Sequence, residues 1–356
     1  MTYNPKEANK EMDKAIFISA DCWLEVFVLL PRSQLGFGVA LISHRFDYFV
    51  DEHFKTRRWA LTKEIQIIGE IGQNGAMEMK IVNLERKELP IPQNPLPNKV
   101  IGFGSISIFF IDQNVITFLH RFHRFFATCA THLSIETENV HISEFVVLTI
   151  WPMFKDTIRL MDLNPIAFHQ MRQFAPSILT DCSSLRAVDF DDGILPEFPP
   201  DDSANASDGQ AVTKWLFSPQ PDNLPKTLRI KISSIDQWLA TVEQIKAAFS
   251  NASSPVAFII SVAFPPSVLL SLSFVVPFEL TNEFTGEKLE LLRNVNGFNL
   301  FRRPIVPKTR QQQQTMVKEL GRRLNQINIC ITDGGIDDGL LDAASDGPSD
   351  QKQQKK

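Results

Sequence analysis

The chain has almost no tyrosine and little cysteine: 2 Tyr and 4 Cys in 356 residues, against 28 Phe. Phenylalanine carries no polar handle to aim at a ligand, so this aromatic content reads as dry packing partners. Cys22, Cys129, Cys182 and Cys330 lie far apart, and three of them fall inside apolar periodic segments. That is the pattern of buried reduced thiols, and it excludes a disulfide framework or a zinc knuckle. The opening MTYNPKEANKEMDKAIF lacks the apolar stretch of a secretory signal. An intracellular, reducing compartment is expected, cytoplasmic and/or nuclear, and the sequons at Asn205 and Asn251 are expected to stay unmodified. A strong charge of one sign is also missing. The net charge is −5, and the basic clusters at Lys55 to Arg58, Arg302-Arg303 and Arg322-Arg323 are short and scattered. A general nucleic-acid binder needs a basic face to neutralise phosphates. The clusters therefore read as solvated helix ends and loops.

Catalytic signatures are lacking too. No serine sits in a nucleophile elbow, and neither GFG, at Gly36 and Gly102, opens into a phosphate-binding loop. DFDDG and DGGIDDG lack the alternating ligands and closing Glu of a calcium loop. His120 and His123 share a helix face with His132 nearby, but Arg121 and Arg124 interleave and oppose a metal. The expectation is a non-catalytic chain without cofactor or metal. One uncharged run, Pro255 to Phe278, is long enough to cross a bilayer. Pro265-Pro266 divides it into VAFIISVAF and VLLSLSFVV, which read as two buried strands rather than a membrane span.

What is present falls into blocks. Residues 1–12 read as a disordered N-terminus. Residues 13–58 read as three short helices. Asp21 is placed to cap the first, with Trp23, Leu24, Phe27 and Leu30 on one stripe and Pro31 ending it. Ser33 and Ser43 are placed to cap the second and third. Such a unit carries more apolar surface than it can bury alone. From Trp59 the period changes to strands: WALTKEIQIIGEI, AMEMKIVNL and VIGFGSISIFFID. After Asp112 helix and strand alternate five times, the strands being HLSIET, TIRLMDL, LRAVDF, TLRIKI and VAFIISV. With the acidic insert DFDDGILPEFPPDDSANASDG discounted, the period is under about thirty residues, the sign of an irregular leucine-rich-repeat-like array with a parallel sheet. A compact α/β layer domain is the alternative. A hairpin turning at Thr285-Gly286 closes the second domain, residues 59–308. Residues 309–356 read as a variable helix, with Met316, Leu320, Leu324 and Ile327 on one side, and a disordered tail. The fold class is α+β.

The three-helix segment resembles the F-box. Ile18 stands where that motif begins, Asp21 at its acidic position, and Leu24, Val26, Phe27 and Leu30 along its first helix. Leu35 opens the second helix, and Ile42-Ser43-His44-Arg45-Phe46 resembles its closing stretch. Ser19 replaces the customary proline and Phe46 the customary tryptophan. Further blocks, among them ALISHRFDYFVDEHFKTRRWAL, FAPSILTDCSSLRAVDF and PFELTNEFTGEKLELLR, resemble the expanded F-box family of plant-parasitic cyst nematodes over residues 15 to 306. Beyond Pro304 the chain departs from that family.

The resemblance implies the substrate receptor of a Skp-cullin-F-box ubiquitin ligase. The F-box would dock a Skp-type adaptor and, through it, a cullin scaffold. The second domain would recruit an unknown protein target, with no role for nucleic acid or membrane. Ile18, Leu24, Phe27, Leu35, Ile42 and Phe46 are the adaptor-binding residues it implies, and the sequence leaves them as a mixture of contact and local core. A non-degradative scaffold with a degenerate F-box is the alternative. The acidic insert Asp191 to Asp208 is a candidate attractor for a basic target, or else a flexible surface loop.

Overall fold

In the computed structural model of the chain, residues 18–30, 34–54, 59–71, 77–83, 86–89, 100–128, 131–220, 224–269, 275–303, 325–332 and 335–336 are described. They combine helices with one large mixed sheet, an α+β architecture. Two compact units divide the chain: Met1–Thr62 with Pro92–Ile101, and Lys63–Ile91 with Gly102–Lys356.

The first unit contains α1 (Ala20–Leu29), a π-helical turn Leu35–Val39, and α2 (His44–Phe54). Ser19, not Asp21, caps α1: its hydroxyl accepts the Cys22 N–H at 3.3 Å. The helix stops at Leu29 because Leu30 takes the extended conformation (φ −90°, ψ 142°) that the following proline demands. Ser43 starts α2 as expected, accepting the Phe46 N–H at 3.4 Å. Ser33 lies outside the described residues. Trp23 meets Phe46 edge-on at 4.9 Å and Phe27 meets the His53 ring at 6.0 Å, so α1 and α2 close over Phe27, Leu35 and Val50.

Among the described residues thirteen strands form the sheet, and they lie mainly in the second unit. They are β1 (Trp59–Ile71), β2 (Met77–Asn83), β3 (Glu88–Leu89), β4 (Val100–Ile108), β5 (Thr131–Ile135), β6 (Ile158–Leu163), β7 (Ala187–Phe190), β8 (Lys226–Lys231), β9 (Phe258–Ala263), β10 (Phe278–Thr281), β11 (Lys288–Asn294), β12 (Gly297–Arg303) and β13 (Asn325–Ile329). Their order across the sheet is β10-β11-β12-β9-β8-β7-β6-β5-β13-β4-β1-β2-β3. Strands β5 to β9 are neighbours in chain order and parallel throughout. Helices α4 (Val140–Phe145), α5 (Pro165–Phe174), α6 (Asp208–Phe217) and α7 (Ile235–Ser250) connect them, and α3 (Gln113–Thr128) precedes β5. Each connecting helix begins at an Asn or Ser whose side chain accepts a first-turn N–H: Asn139, Asn164, Ser207 and Ser234. A sheet that advances one strand at a time with right-handed crossovers keeps its helices on one face.

One row of residues fixes the register. Ile106, Ile327, Leu133, Met161, Val188, Leu228, Ile260, Leu300 and Leu291 lie opposite one another across nine adjacent strands. All are buried. This is the helix-facing side, where Phe168 of α5 packs on Phe190 at 5.2 Å and Phe217 of α6 on Phe258 at 5.1 Å. A slip of one residue would turn the whole row outward, so the apolar pattern enforces the pairing.

Three expectations need correction. Ile327 belongs to a strand, not to a helix with Met316. Strand β13 inserts parallel between β4 and β5 and buries Ile327 and Ile329, and the chain beyond it buries Ile331 and Ile336 as well. Ile327, Ile329, Ile331 and Ile336 therefore do not belong to a solvated tail. The first half of the uncharged run is β9, but the second half opens with the short helix α8 (Pro266–Leu269), because Pro266 favours a helix start. Among the described residues no helix is long and apolar enough to cross a membrane. Arg302, read as solvated, is 1% exposed and paired with Glu287 at 2.7 Å. Glu287 also accepts the Val256 N–H and the Thr285 hydroxyl, and Arg302 donates to the Ser254 carbonyl, so both carboxylate oxygens and the Nε and Nη2 of the guanidinium have partners.

Candidate docking surfaces

The first unit sorts its apolar residues into two sets. On α1, Phe27 faces inward (1% exposed), while Val26 and Leu29, three residues apart and so on a common side, face water, Leu29 at 83% exposure. Beyond the π-helical turn, Leu41 and Ile42 are exposed, Ile42 at 66%. A short helix apolar on both sides cannot satisfy both by folding alone. Of the six residues implied as adaptor contacts, Ile18 and Ile42 lie on the exposed set, Leu24 and Phe46 are half-buried, and Phe27 and Leu35 are core. Phe46 is held by Trp23 on one side and by Phe49 at 6.5 Å on the other. Leu29 and Leu41 were not singled out from the sequence, whereas Val26 was named along the first helix. For Leu29 the offset from the Trp23-Phe27 stripe of α1 was the available signal.

The second unit presents a polar row one residue beyond its buried one. Ser107, Asn328, Ser134, Asp162, Asp189, Arg229, Ser261 and Asn299 lie opposite one another across eight strands, a span of about 34 Å at the usual strand spacing. Successive side chains alternate faces, so this row lies on the side away from the helices. Two residues earlier on the same face, Leu160, Ala187, Thr227 and Ile259 are buried. Asp189 bonds Arg229 at 2.6 Å, and Asp191 bonds Lys231 at 2.5 Å. Burial pushes the Asp189 carboxyl up to about 6, against the pull of Arg229. Burial, then Asp191 and Glu136, raise the Asp162 carboxyl, which makes no hydrogen bond with the described residues. On β5, burial and then Arg229 push His132 down to about 4, so it stays neutral near pH 7. DFDDG accordingly spends two of its three carboxylates on cations of β8, which leaves no calcium loop. His120 is exposed on α3 and the His123 side chain lies outside the described residues. Among the described residues no three His, Cys, Asp or Glu gather as metal ligands.

The acidic insert is not a loose surface loop. Arg172, 6% exposed on α5, donates to Asp208 at 2.7 Å and to the carbonyls of Ala206, Ser203 and Pro176. Thr180 donates to Asp202 and Ser207 to Glu197, both at 2.5 Å, while Gln210 donates to the Pro199 carbonyl. Gly209 is required where the insert meets α6, since a Cβ there would sit 2.5 Å from the Leu195 carbonyl oxygen. Most of the carboxylates of the insert are thereby engaged within the fold, and the negative charge left open lies at the strand ends. No family model, no curated protein and no solved structure matches the chain.

Proposed function

We propose that the chain is the substrate receptor of a Skp-cullin-F-box ubiquitin ligase. In this reading the first unit is an F-box that docks a Skp-type adaptor. The second unit, read as an irregular leucine-rich-repeat-like array, recruits a protein target, and the chain itself performs no chemistry. The observation that carries the reading is the division of apolar residues in the first unit. Among the described residues Phe27, Leu35, Ala40 and Val50 are buried, and Ile18, Val26, Leu29, Leu41 and Ile42 are exposed. Exposed aliphatic side chains concentrated on so few residues are what an obligate docking face requires. The residues at which the chain departs from the F-box pattern have local duties: Ser19 caps α1, and Phe46 packs on Trp23.

Capture of the full chain by an immobilised Skp-type adaptor, followed by assembly with a cullin, tests the reading. Stoichiometric capture is expected. A folded chain that ignores the adaptor would sink it. Capture without cullin-dependent ubiquitination of any bound protein would favour the scaffold reading, in which the same docking face serves no degradation.

A further inference from the structure

The second unit carries two cavities at the carboxyl ends of its parallel strands, the edge at which open sheets place their ligands. The first, of about 900 Å³, is lined by residues that follow β5, β6, β7 and β13: Glu136, Glu138, His141, Asn164, Asp191 and Ile331. The second, of about 470 Å³, is walled by residues that follow β8 and β9: Ile232, Phe264, Pro265, Pro266 and Leu269. Asp191 lines the first, Lys231 lines the second, and the two side chains meet at 2.5 Å, so an ion pair separates an acidic cavity from an apolar groove.

We propose that this bipartite groove is the target-recognition site, and that it takes an extended peptide segment carrying Arg or Lys beside a large aliphatic or aromatic residue. The inference rests on the substrate-receptor reading of the chain and supplies the chemistry of its target. Charge complementarity chooses the occupant. Glu136 and Glu138 make no side-chain hydrogen bond or ion pair with the described residues, and no Lys or Arg lines the acidic cavity. Only Asp191 is neutralised, by Lys231. The excess is felt beyond the cavity, where Asp191 and Glu136 add to burial in raising the Asp162 carboxyl. A guanidinium or ammonium entering the cavity would offset that repulsion. The neighbouring groove favours an apolar side chain over a second cation, because its lining is mainly apolar, although Asp192 and Lys231 also border it. Wet acidic faces attract any polycation weakly. A paired acidic and apolar site gives specificity through the requirement for both.

The probes are three fluorescein-labelled decapeptides read by anisotropy against the full chain at physiological salt: one alternating Arg and Leu, one with Glu for Arg, one with Ser for Leu. The Arg-Leu peptide is expected to bind at least about tenfold more tightly than either control. The double variant Glu136→Gln, Glu138→Gln and the variant Leu269→Ser are each expected to weaken it about tenfold, with unchanged melting temperature. Equal binding of the three peptides, or full affinity in both variants, would overturn the proposal. Adaptor capture is measured on the same preparations. Capture with no selective peptide binding sinks the groove alone, whereas selective binding with no capture keeps the groove and sinks the receptor reading on which its biological role rests.

Discussion

Replacing Leu29 or Ile42 by Asp, set against replacing Phe27 or Leu35 by Ala, separates docking from folding. Leu29 and Ile42 are largely in water, so a charge there should alter folding by no more than about 0.5 kcal/mol. At an interface the same side chains would each contribute about 1.5–3 kcal/mol through burial. A carboxylate in their place adds a desolvation cost, so each substitution should weaken adaptor binding by at least about 3 kcal/mol, or about 150-fold. Phe27 and Leu35 are core, and their truncation should cost about 3–5 and 2–5 kcal/mol in stability. For so small a unit that approaches its whole stability. The assay pairs calorimetric melting of the full chain with surface plasmon resonance on an immobilised Skp-type adaptor. The Asp variants should melt as the parent does and fail to bind. The Ala variants should lose the first unit's transition, and with it the binding. Parent-like affinity in both Asp variants would refute the docking face, and an unchanged melt in Phe27→Ala would refute the core.

Ending the chain after Arg303 removes β13 and leaves β4 and β5 without their shared neighbour. Such a chain should be cut rapidly by trypsin within the second unit, and Ile327→Ala in the full chain should cost about 2–5 kcal/mol in urea unfolding. Lys226 is 1% exposed, and burial, then Arg186, push its pKa down to about 7. Its folded pKa lies below its ordinary 10.5, so the folded state holds fewer protons across that window. Its contribution to stability therefore rises from pH 7 to 10.5 and is lost as pH falls through 7. Lys226→Met should remove that slope from the pH dependence of unfolding, although it deletes the bonds to the Trp215 and Ser218 carbonyls. Removing only one partner of the buried pair, as in Glu287→Gln, should cost about 3–5 kcal/mol, and a matched apolar replacement of Glu287 and Arg302 together should cost less. Cys22 is exposed and Cys182 buried, with burial pushing its thiol far up. N-ethylmaleimide should therefore label Cys22 in the native chain within minutes and reach Cys182 only on unfolding, as peptide mass mapping would read.

The strands and helices of the parallel block were legible because each carries its own period. HLSIET, TIRLMDL, LRAVDF, TLRIKI and VAFIISV all became strands, and the helices before them all formed. Register was not legible. Measuring the repeat from one apolar residue per strand, at Leu133, Ile158, Leu185, Leu228 and Phe258, misses the true row by up to three residues, since Leu133 pairs with Met161 and Met161 with Val188. Aligning the strands instead on the apolar residue that precedes a polar one (Leu133-Ser134, Met161-Asp162, Val188-Asp189, Leu228-Arg229, Ile260-Ser261) gives both rows at once. The last strand was hidden for a different reason. Ile327 fits a helical spacing with Leu320 and Leu324 and also an alternation with Ile329 and Ile331, and a local pattern cannot choose between them. The choice is made by the vacancy between β4 and β5, two strands whose own edges would otherwise stay unpaired, and β4 precedes the strand that fills it by more than two hundred residues. The exposed aliphatic set of the first unit was hidden by the same limit. An apolar residue on α1 reads alike whether α2 covers it or water does, and only the packing of Phe27 against His53 leaves Leu29 on the outside.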